Sequence, residues 1–242
     1  MKSDYVYGKI PVLECLRAGK RPALKLYLQR GAKGLEEIQR AAPKVSTKVC
    51  SRGDLDDLTQ GSLHQGVLLE AGELPIREAT EWLPSVSGKD VIVVLLDGIE
   101  DPQNFGAIVR SAAAFGASAV VYTKDRAAPL SPAAVKSAAG GVEYVDLVRA
   151  INLVQVIDML KKDGFWIAGL DPDSDKLLWD VELTGRVGLV IGSEGKGMRR
   201  LVREHCDHLL RIPLKGPITS LNASVSAGVA LAECLRQRSA QS

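Results

Sequence analysis

The sequence is poor in the residues that most often bind metals or form disulfides. Its 242 residues include only three histidines and four cysteines. The cysteines lie far apart and form no CxxC pair, so neither a zinc site nor a disulfide framework is expected. Free thiols of this kind are typical of the reducing cytoplasm. The four cysteines are Cys15, Cys50, Cys206 and Cys234.

The remaining metal candidate is the segment His205-Cys206-Asp207-His208, which holds two of the histidines. Adjacent side chains on a helix point in different directions, and no second pair of ligands accompanies them. A helix that leads into a strand explains the segment better than a metal site does. We therefore expect no metal.

Long apolar runs are also missing. No stretch approaches the roughly 20 apolar residues of a membrane-spanning helix. The N-terminal residues include Lys2, Asp4 and Lys9 and form no apolar signal core. We expect a soluble, cytoplasmic protein with no membrane partner.

Three common enzyme motifs are absent as well. No GxGxxG follows a strand-like run, no GxSxG occurs, and the phosphate-loop motif fails because Gly197 follows Lys196. These absences argue against a Rossmann-type nucleotide-binding enzyme, a P-loop enzyme and a hydrolase with a nucleophile elbow.

Positive charge is concentrated near the N-terminus. The net charge is only +2, but residues 1–53 hold twelve Lys or Arg and four Asp or Glu, which gives +8. The remaining residues carry −6. A basic module joined to a mildly acidic one is typical of a polyanion-binding domain attached to a catalytic domain. A small domain with many solvated surface lysines would look the same.

Hydrophobic periodicity divides the chain into two parts. Residues 1–72 alternate short helix-like and strand-like stretches and predict a small α/β/α domain. Residues 73–88 contain Pro75, Pro84 and several small polar residues, so we predict a linker there. Residues 89–242 predict an α/β domain on a mostly parallel sheet. Its strands are expected at 91–96, 119–122, 142–147, 166–170, 187–191 and 209–214, and its helices at 104–115, 133–139, 153–162, 198–205 and 224–238.

Three segments of the second part combine a strand-like run with loop-forming residues. Residues 97–110 read DGIEDPQNFGAIVR, residues 189–198 read LVIGSEGKGM, and residues 212–226 read IPLKGPITSLNASVS. Ligands bind at the carboxyl ends of the strands in open α/β sheets. We therefore expect the three segments to form one composite pocket.

The polar residues of these segments allow two interpretations. Three glycines surround Glu194, and glycine permits tight turns and close approach of the backbone to a ligand. Asn104, Asn222 and Ser224 lie near helix starts, where such residues are ordinary caps. Arg110 lies six residues after Asn104, so the two do not share a helix face. Joint action therefore requires Asn104 to lie in the loop.

Taken together, the motifs resemble those of the SpoU (TrmH-type) RNA ribose methyltransferases of the SPOUT superfamily. The matching residues are Asn104 and Arg110, Gly192-Ser193-Glu194-Gly195, and Ile212-Pro213 with Ser220-Leu221-Asn222-Ala223-Ser224. They occur in the family's order and spacing, and the resemblance spans residues 91–238. The basic N-terminal part resembles the ribosomal-protein-L30e-like substrate-binding domain of the rRNA-modifying members.

The resemblance implies a parallel-sheet domain with a deep trefoil knot, a homodimer and S-adenosylmethionine as cofactor. It implies methyl transfer to the ribose 2′-hydroxyl of a guanosine in 23S rRNA. It places cofactor contacts at Gly192, Gly197, Ile212 and Leu221. It assigns catalytic roles to Asn104, Arg110, Glu194, Asn222 and Ser224. In these roles Arg110 grips the RNA phosphate or acts as a base, and Asn104 orients Arg110 or the ribose. Glu194 fixes the loop and Arg110. Asn222 and Ser224 position the acceptor nucleotide.

Two alternatives stay open within the same fold. One is a tRNA ribose methyltransferase, although the basic N-terminal domain weighs against it. The other is a non-catalytic RNA-binding or assembly factor, which would not need every polar motif residue.

Overall fold

A computed structural model of the chain describes residues 3–123 and 131–240. The chain divides into two compact units, Met1–Pro75 and Ile76–Ser242. No helix within the described residues is both long enough and apolar enough to span a bilayer.

The first unit is built on a four-stranded mixed sheet with the strand order β1-β4-β2-β3. Strand β4 pairs antiparallel with β1 and β2, while β2 and β3 are parallel. The elements are β1 (Ser3–Tyr7), α1 (Lys9–Ala18), β2 (Ala23–Gln29), α2 (Glu36–Ala41), β3 (Ser46–Cys50), α3 (Arg52–Leu58) and β4 (Val67–Gly72).

The two faces of this sheet are covered differently. On one face, Val12 and Cys15 of α1 and Ile38 of α2 pack with Leu26 and Leu69 of the strands in the larger core. On the other face, α3 contributes Leu55 to a smaller cluster with Cys50 and Leu68. Ser51 and Asp54 form a capping box at the start of α3, which satisfies backbone donors there.

The segment predicted as a linker, residues 73–88, contains regular structure instead. It holds β5 (Ile76–Glu78), α4 (Ala79–Trp82) and a 3₁₀ turn at Leu83–Ser85. Strand β5 pairs parallel with the strand at Asp146–Ala150 and forms one edge of the second unit's sheet. Trp82 is buried and donates its indole N–H to Asp146 at 3.1 Å. The expectation of a linker was wrong for residues 76–85, because a three-residue edge strand and a single helical turn are too short to show periodicity.

The second unit is built on a seven-stranded parallel sheet with the order β11-β9-β10-β6-β7-β8-β5. This confirms the predicted α/β class with a parallel sheet. Its remaining elements are β6 (Val91–Asp97), α5 (Pro102–Ala114), β7 (Ala119–Thr123), α6 (Pro132–Ser137), β8 (Asp146–Ala150), α7 (Leu153–Lys162), β9 (Trp166–Leu170), β10 (Arg186–Gly192), α8 (Arg200–His205), β11 (His208–Leu210) and α9 (Ala223–Ser239).

Strand β6 lies at the centre of this sheet and is buried along its whole length. Helix α5 follows it and begins where the sequence predicts, because Asp101 caps the backbone N–H groups of Gln103 and Asn104 and Pro102 occupies the first turn. Gly106 of α5 permits the close approach of α6, since a Cβ there would lie 2.3 Å from the carbonyl oxygen of Ala134.

Some element boundaries differ from the prediction. Residues 142–147 are not one strand, because a 3₁₀ turn at Gly141–Glu143 precedes β8. Strand β11 ends at Leu210 rather than at residue 214, before the rigid Ile212-Pro213 pair. Strand β1 was not predicted at all.

Candidate active site

The three motif segments meet at the carboxyl edge of the parallel sheet, as predicted. Strands β6 and β10 are neighbours, and their last residues, Asp97 and Gly192, are paired in register. The loop into α5 therefore leaves the sheet beside the glycine-rich loop that follows β10. The third segment follows β11 and runs into the first turn of α9.

The glycine-rich loop is a tight turn closed by its own backbone. Ser193 N–H donates to the Gly197 carbonyl at 3.0 Å, and Gly197 N–H donates to the Ser193 carbonyl at 2.9 Å. A Cβ at Gly192 would lie 2.4 Å from backbone atoms of Gly197 and Met198. Only glycine fits at Gly192, and its absent side chain lets the turn fold back onto the strand end.

One polar side chain from each segment joins a hydrogen-bonded triad, which consists of Asn104, Glu194 and Asn222. Asn104 Nδ2 donates to Glu194 Oε1 at 2.8 Å, and Asn222 Nδ2 donates to the same oxygen at 2.5 Å. Asn222 Nδ2 also donates to Asn104 Oδ1 at 3.0 Å. In sequence, Asn104 is 90 positions from Glu194 and 118 positions from Asn222, so the triad links distant parts of the chain.

Asn222 is at the same time the cap of α9. Its Oδ1 accepts the backbone N–H groups of Ser224 and Val225 and the Ser224 hydroxyl, which lies 2.6 Å away. The capping interpretation therefore holds for this residue, and its amide nitrogen stays available to the triad. The cap fixes the amide so that its nitrogen points at Glu194.

A cavity of about 710 Å³ opens beside the triad. All four residues assigned to the cofactor lie in its wall, together with Glu194 and Asn222 of the triad. Residues outside the predicted cofactor set line it as well. The wall includes Gly192, Gly197, Ile212 and Leu221 from the prediction and Asp171, Pro172, Asp173, Thr219 and Ser226 in addition.

The cavity fits the cofactor that the resemblance implies. Its volume lies within the range of small-molecule and cofactor sites, roughly 300–1,000 Å³. Gly192, Gly197 and Ile212 bring main chain to its wall, and Leu170, Ile191 and Leu214 add apolar surface. Such a lining suits a planar base held by main-chain groups.

Arg110 lies apart from the triad. Its side chain is exposed on α5 and forms no hydrogen bond or ion pair with the described residues, 3–123 and 131–240. Asn104 lies within α5, not in the preceding loop. The condition for joint action with Arg110, that Asn104 lie in the loop, is therefore not met, because the Asp101 cap and Pro102 start the helix before it. Within one chain Glu194 contacts Asn104 and Asn222 rather than Arg110.

Sequence reasoning missed an ion pair that supports the glycine-rich loop. Asp97, whose side chain is fully buried at the end of β6, accepts the Arg199 backbone N–H and Nε–H, both at 2.6 Å. The pair holds the exit of the loop against the strand end. Asp97 sits in a motif segment, but nothing in the sequence indicates that its partner lies 102 residues away.

A second acid at the cavity is also paired. Asp171 follows β9 and accepts Arg203 Nε–H at 2.5 Å. This hydrogen bond and the negative charge of Asp171 raise the pKa of Arg203. Among the described residues, no cluster of three His, Cys, Asp or Glu side chains could hold a metal ion.

Two family models match the chain. The model described as SpoU rRNA Methylase family covers residues 91–232. The model described as RNA 2′-O ribose methyltransferase substrate binding covers residues 5–76.

Curated relatives match over nearly the whole chain. An uncharacterized tRNA/rRNA methyltransferase of Mycobacterium sp. (strain KMS) is 41% identical, over 98% of this chain and 77% of its own length. Two 23S rRNA (guanosine-2′-O-)-methyltransferases RlmB are each 38% identical to this chain. The match to the Coxiella burnetii protein covers 99% of this chain and 98% of that protein. The match to the Escherichia coli protein covers 98% of this chain and 100% of that protein.

Solved structures give the same result. The SpoU methyltransferase AviRb from Streptomyces viridochromogenes, crystallised in complex with AdoMet, superposes with a TM-score of 0.81 at 26% identity, over 98% of this chain and 91% of its own. The first family model alone spans more than half of the chain and includes all three motif segments. The chain therefore belongs to the SpoU rRNA methylase family.

Proposed function

We propose that this protein transfers a methyl group from S-adenosylmethionine to the ribose 2′-hydroxyl of a guanosine in 23S rRNA. The observation that carries the proposal is the triad of Asn104, Glu194 and Asn222 at the rim of the cavity. It brings one side chain from each motif segment to a single point. The 38% identity to two guanosine-2′-O-methyltransferases over their full lengths supports the base and the RNA.

The cofactor would be held by the backbone around Gly192, Ile212 and Leu221, with Gly197 shaping the turn. When bound, it supplies a methyl carbon on a positively charged sulfur, so that the ribose oxygen displaces a neutral thioether. A displacement of this kind depends on in-line geometry, and much of the rate enhancement comes from orientation and from the exclusion of water.

The triad would position the acceptor ribose at the mouth of the cavity. Glu194 accepts hydrogen bonds from both amides, which fixes Asn104 and Asn222 in one arrangement. The Ser224 hydroxyl donates to Asn222 and keeps its amide in place. We assign these four residues the task of orienting the nucleotide, and the proton of the 2′-hydroxyl passes to water.

Arg110 would grip an RNA phosphate and stabilise the negative charge that develops on the ribose oxygen. A guanidinium keeps its proton in proteins, so a role as general base is disfavoured. The exposed side chain is consistent with a group whose partner is the substrate.

The family likeness also supports three further parts of the proposal. The protein would act as a homodimer, with helices beside the cavity at the interface. Its C-terminal part would thread a trefoil knot, an arrangement that general experience with folds does not favour. It would work in the cytoplasm, where rRNA is made and modified.

A tRNA substrate is the second candidate. The tRNA-modifying TrmH/SpoU enzyme of A. aeolicus superposes with a TM-score of 0.57 and covers 64% of this chain. The RlmB relatives instead cover both units. The additional unit therefore favours rRNA.

The deciding experiment is to incubate the purified protein and S-adenosylmethionine with unmodified 23S rRNA or with bulk tRNA. Ribose methylation is then mapped by mass spectrometry of nuclease fragments. One 2′-O-methylguanosine in 23S rRNA is expected. Methylation of tRNA alone would contradict the proposal, as would no transfer by a protein that binds the cofactor.

A further inference from the structure

The sheet of the first unit has one face that its helices leave partly open. Helix α3 covers the end of this face with Leu55, which packs with Leu68 and is flanked by Tyr7 and Tyr27. Tyr5, two residues before Tyr7, points to the same side. Helices α1 and α2 belong to the core on the opposite face.

Three side chains cross the open part of this face in one row, which we call the open row. Tyr5 of β1 lies directly opposite Glu70 of β4, and Glu70 lies directly opposite Lys25 of β2. Directly opposed residues of antiparallel strands have Cβ atoms about 4.5–5.5 Å apart. The open row thus places an aromatic ring, a carboxylate and an ammonium side by side.

The ring of Tyr5 is available for stacking, since the residue is 43% exposed. Exposed aromatic rings on a sheet are a common platform for unpaired RNA bases, because every base has a π-face. The described residues form no ring–ring contact with Tyr5.

Glu70 is held in place and retains acceptor capacity. Ser3 Oγ donates to Glu70 Oε1 at 3.2 Å, and the Tyr27 hydroxyl donates to Oε2 at 3.3 Å. An ionised carboxylate has about four acceptor positions, so about two stay free for a ligand. Burial raises the pKa of Tyr27, and the charge of Glu70 raises it further. The hydroxyl of Tyr27 therefore keeps its proton and donates its hydrogen bond to Glu70.

Positive charge flanks the row. Lys25 Nζ lies 5.3 Å from the centroid of the Tyr27 ring. In the next row Lys48 of β3 lies opposite Tyr27 and is exposed. Two ammonium groups beside one carboxylate favour a polyanion whose bases carry hydrogen-bond donors.

Given an RNA substrate, as proposed above, we infer that Tyr5, Glu70 and Lys25 form a binding site for one unpaired guanine of that RNA. The base stacks on Tyr5, its edge donates to Glu70, and Lys25 with Lys48 contacts the adjoining phosphates. Guanine fits because its Watson–Crick edge presents two neighbouring donors, the ring N1–H and the exocyclic amine, to a two-oxygen acceptor. Adenine presents only one donor there.

Binding of three fluorescein-labelled RNAs to the full-length protein tests this site. Each is a heptamer of uridines with a central guanosine, inosine or adenosine, and anisotropy at low salt gives the dissociation constants. Inosine keeps the ring N–H but lacks the amine. Guanosine RNA should bind about tenfold more tightly than inosine or adenosine RNA.

The variants separate the three contacts. Tyr5→Leu should weaken the binding of guanosine RNA about tenfold, while Tyr5→Phe, which keeps the ring, should not change it. Glu70→Gln should bring the ratio of the affinities for guanosine RNA and inosine RNA close to one. A merely structural role of Glu70 would leave this ratio unchanged. Lys25→Ala should weaken the binding of all three RNAs by the same factor.

Matched controls lie outside the row. Glu36→Gln removes an exposed carboxylate from α2, and Lys44→Ala removes an exposed lysine from the loop before β3. Tyr144→Leu changes an exposed tyrosine of the second unit. These variants should bind like the wild type.

Two results would overturn the inference and leave the proposed function standing. One is equal binding of the three RNAs by a wild-type protein that methylates 23S rRNA. The other is wild-type behaviour of Tyr5→Leu and Glu70→Gln. A protein that neither methylates rRNA nor binds any of the RNAs would overturn both.

Discussion

Among single residues, Asn222 has two tasks that can be separated. Its Oδ1 caps α9, and its Nδ2 donates to Glu194 and Asn104. A side chain that caps the helix but has no amide nitrogen would keep the first task and lose the second. Serine has this property.

We expect Asn222→Ser to leave the melting temperature within about 2 °C of the wild type, because the cap is kept. The methyl-transfer rate should fall about 100-fold, because the acceptor is no longer oriented. Single-turnover kinetics and thermal denaturation measure the two effects. The control is Asn152→Ser, which changes the cap of α7 away from the cavity. A rate within threefold of the wild type would contradict the role of the triad.

Gly192 offers a test of the cofactor cradle. In Gly192→Ala the new methyl group would lie 2.4 Å from backbone atoms of Gly197 and Met198, so the turn must open. We expect S-adenosylmethionine to bind at least tenfold more weakly by calorimetry, since opening misplaces the backbone groups that hold it. Gly53→Ala, which meets only the Ser51 hydroxyl at 3.8 Å, is the control. An unchanged affinity in Gly192→Ala would show that the turn does not form the cofactor site.

Arg110 can be assigned as a clamp or a base from a pH–rate profile. If it is a phosphate clamp, Arg110→Lys should weaken RNA binding severalfold, because lysine cannot form the bidentate contact, and the shape of the profile should stay unchanged. If it is a base, the variant should lose or shift one limb of the profile. Rates between pH 6 and 9 on an rRNA fragment decide between the two.

At the scale of helices and strands, the site-bearing elements were predictable because their signals are local. The apolar run of β6, the Asp101-Pro102 start of α5 and the glycines after β10 each lie within a few consecutive residues. The convergence of the three segments followed from one general rule, that parallel strands end at the same edge of a sheet.

The parts that the sequence did not predict depend on distant partners. Strand β1 is five residues long, and its place is set by pairing with β4, more than 60 residues later. The bond between Asp97 and Arg199 spans 102 positions. Joint action of Asn104 with Arg110 required Asn104 to lie in the loop, whereas the Asp101 cap starts α5 before it.

The thiols of Cys206 and Cys234 predict an alkaline effect on stability. Burial raises the pKa of Cys206, at the end of α8, and of Cys234, on α9, to about 12, compared with 9.0 for a free thiol. Below pH 9 both thiols are protonated in the folded and the unfolded chain. Between about pH 9 and 12 only the unfolded chain releases these protons, so the free energy of unfolding falls as the pH rises.

The expected loss is up to about 1.4 kcal/mol per pH unit for each thiol. Urea unfolding at pH 8, 9 and 10 measures it against the double variant Cys206→Ala with Cys234→Ala. The variant should lose less stability over this range than the wild type. Equal losses would mean that these thiols do not keep their protons in the folded protein.

For the whole molecule, the two compact units carry different parts of the proposed function, cofactor binding and RNA selection. The cavity and the triad lie entirely within Ile76–Ser242. The open row and most of the excess positive charge lie before residue 76.

Removal of residues 1–75 should therefore keep the affinity for S-adenosylmethionine within about threefold and abolish methylation of 23S rRNA, because the contacts proposed for RNA selection are lost. Calorimetry and the methylation assay measure the two properties on the same preparation. Full activity of the shortened protein would contradict the division, and loss of cofactor binding would show that the second unit does not function alone.

The strand order of the parallel sheet has a consequence for synthesis on the ribosome. Strand β9 is made before β10, yet its partners among the described strands, β10 and β11, are both made later. It must wait as an unpaired segment until β10 inserts between it and β6. The part of the cavity wall that β9 and β10 share therefore forms only after β10 has been made. A polypeptide halted before residue 222 lacks the last member of the triad, so premature termination yields no partially active enzyme.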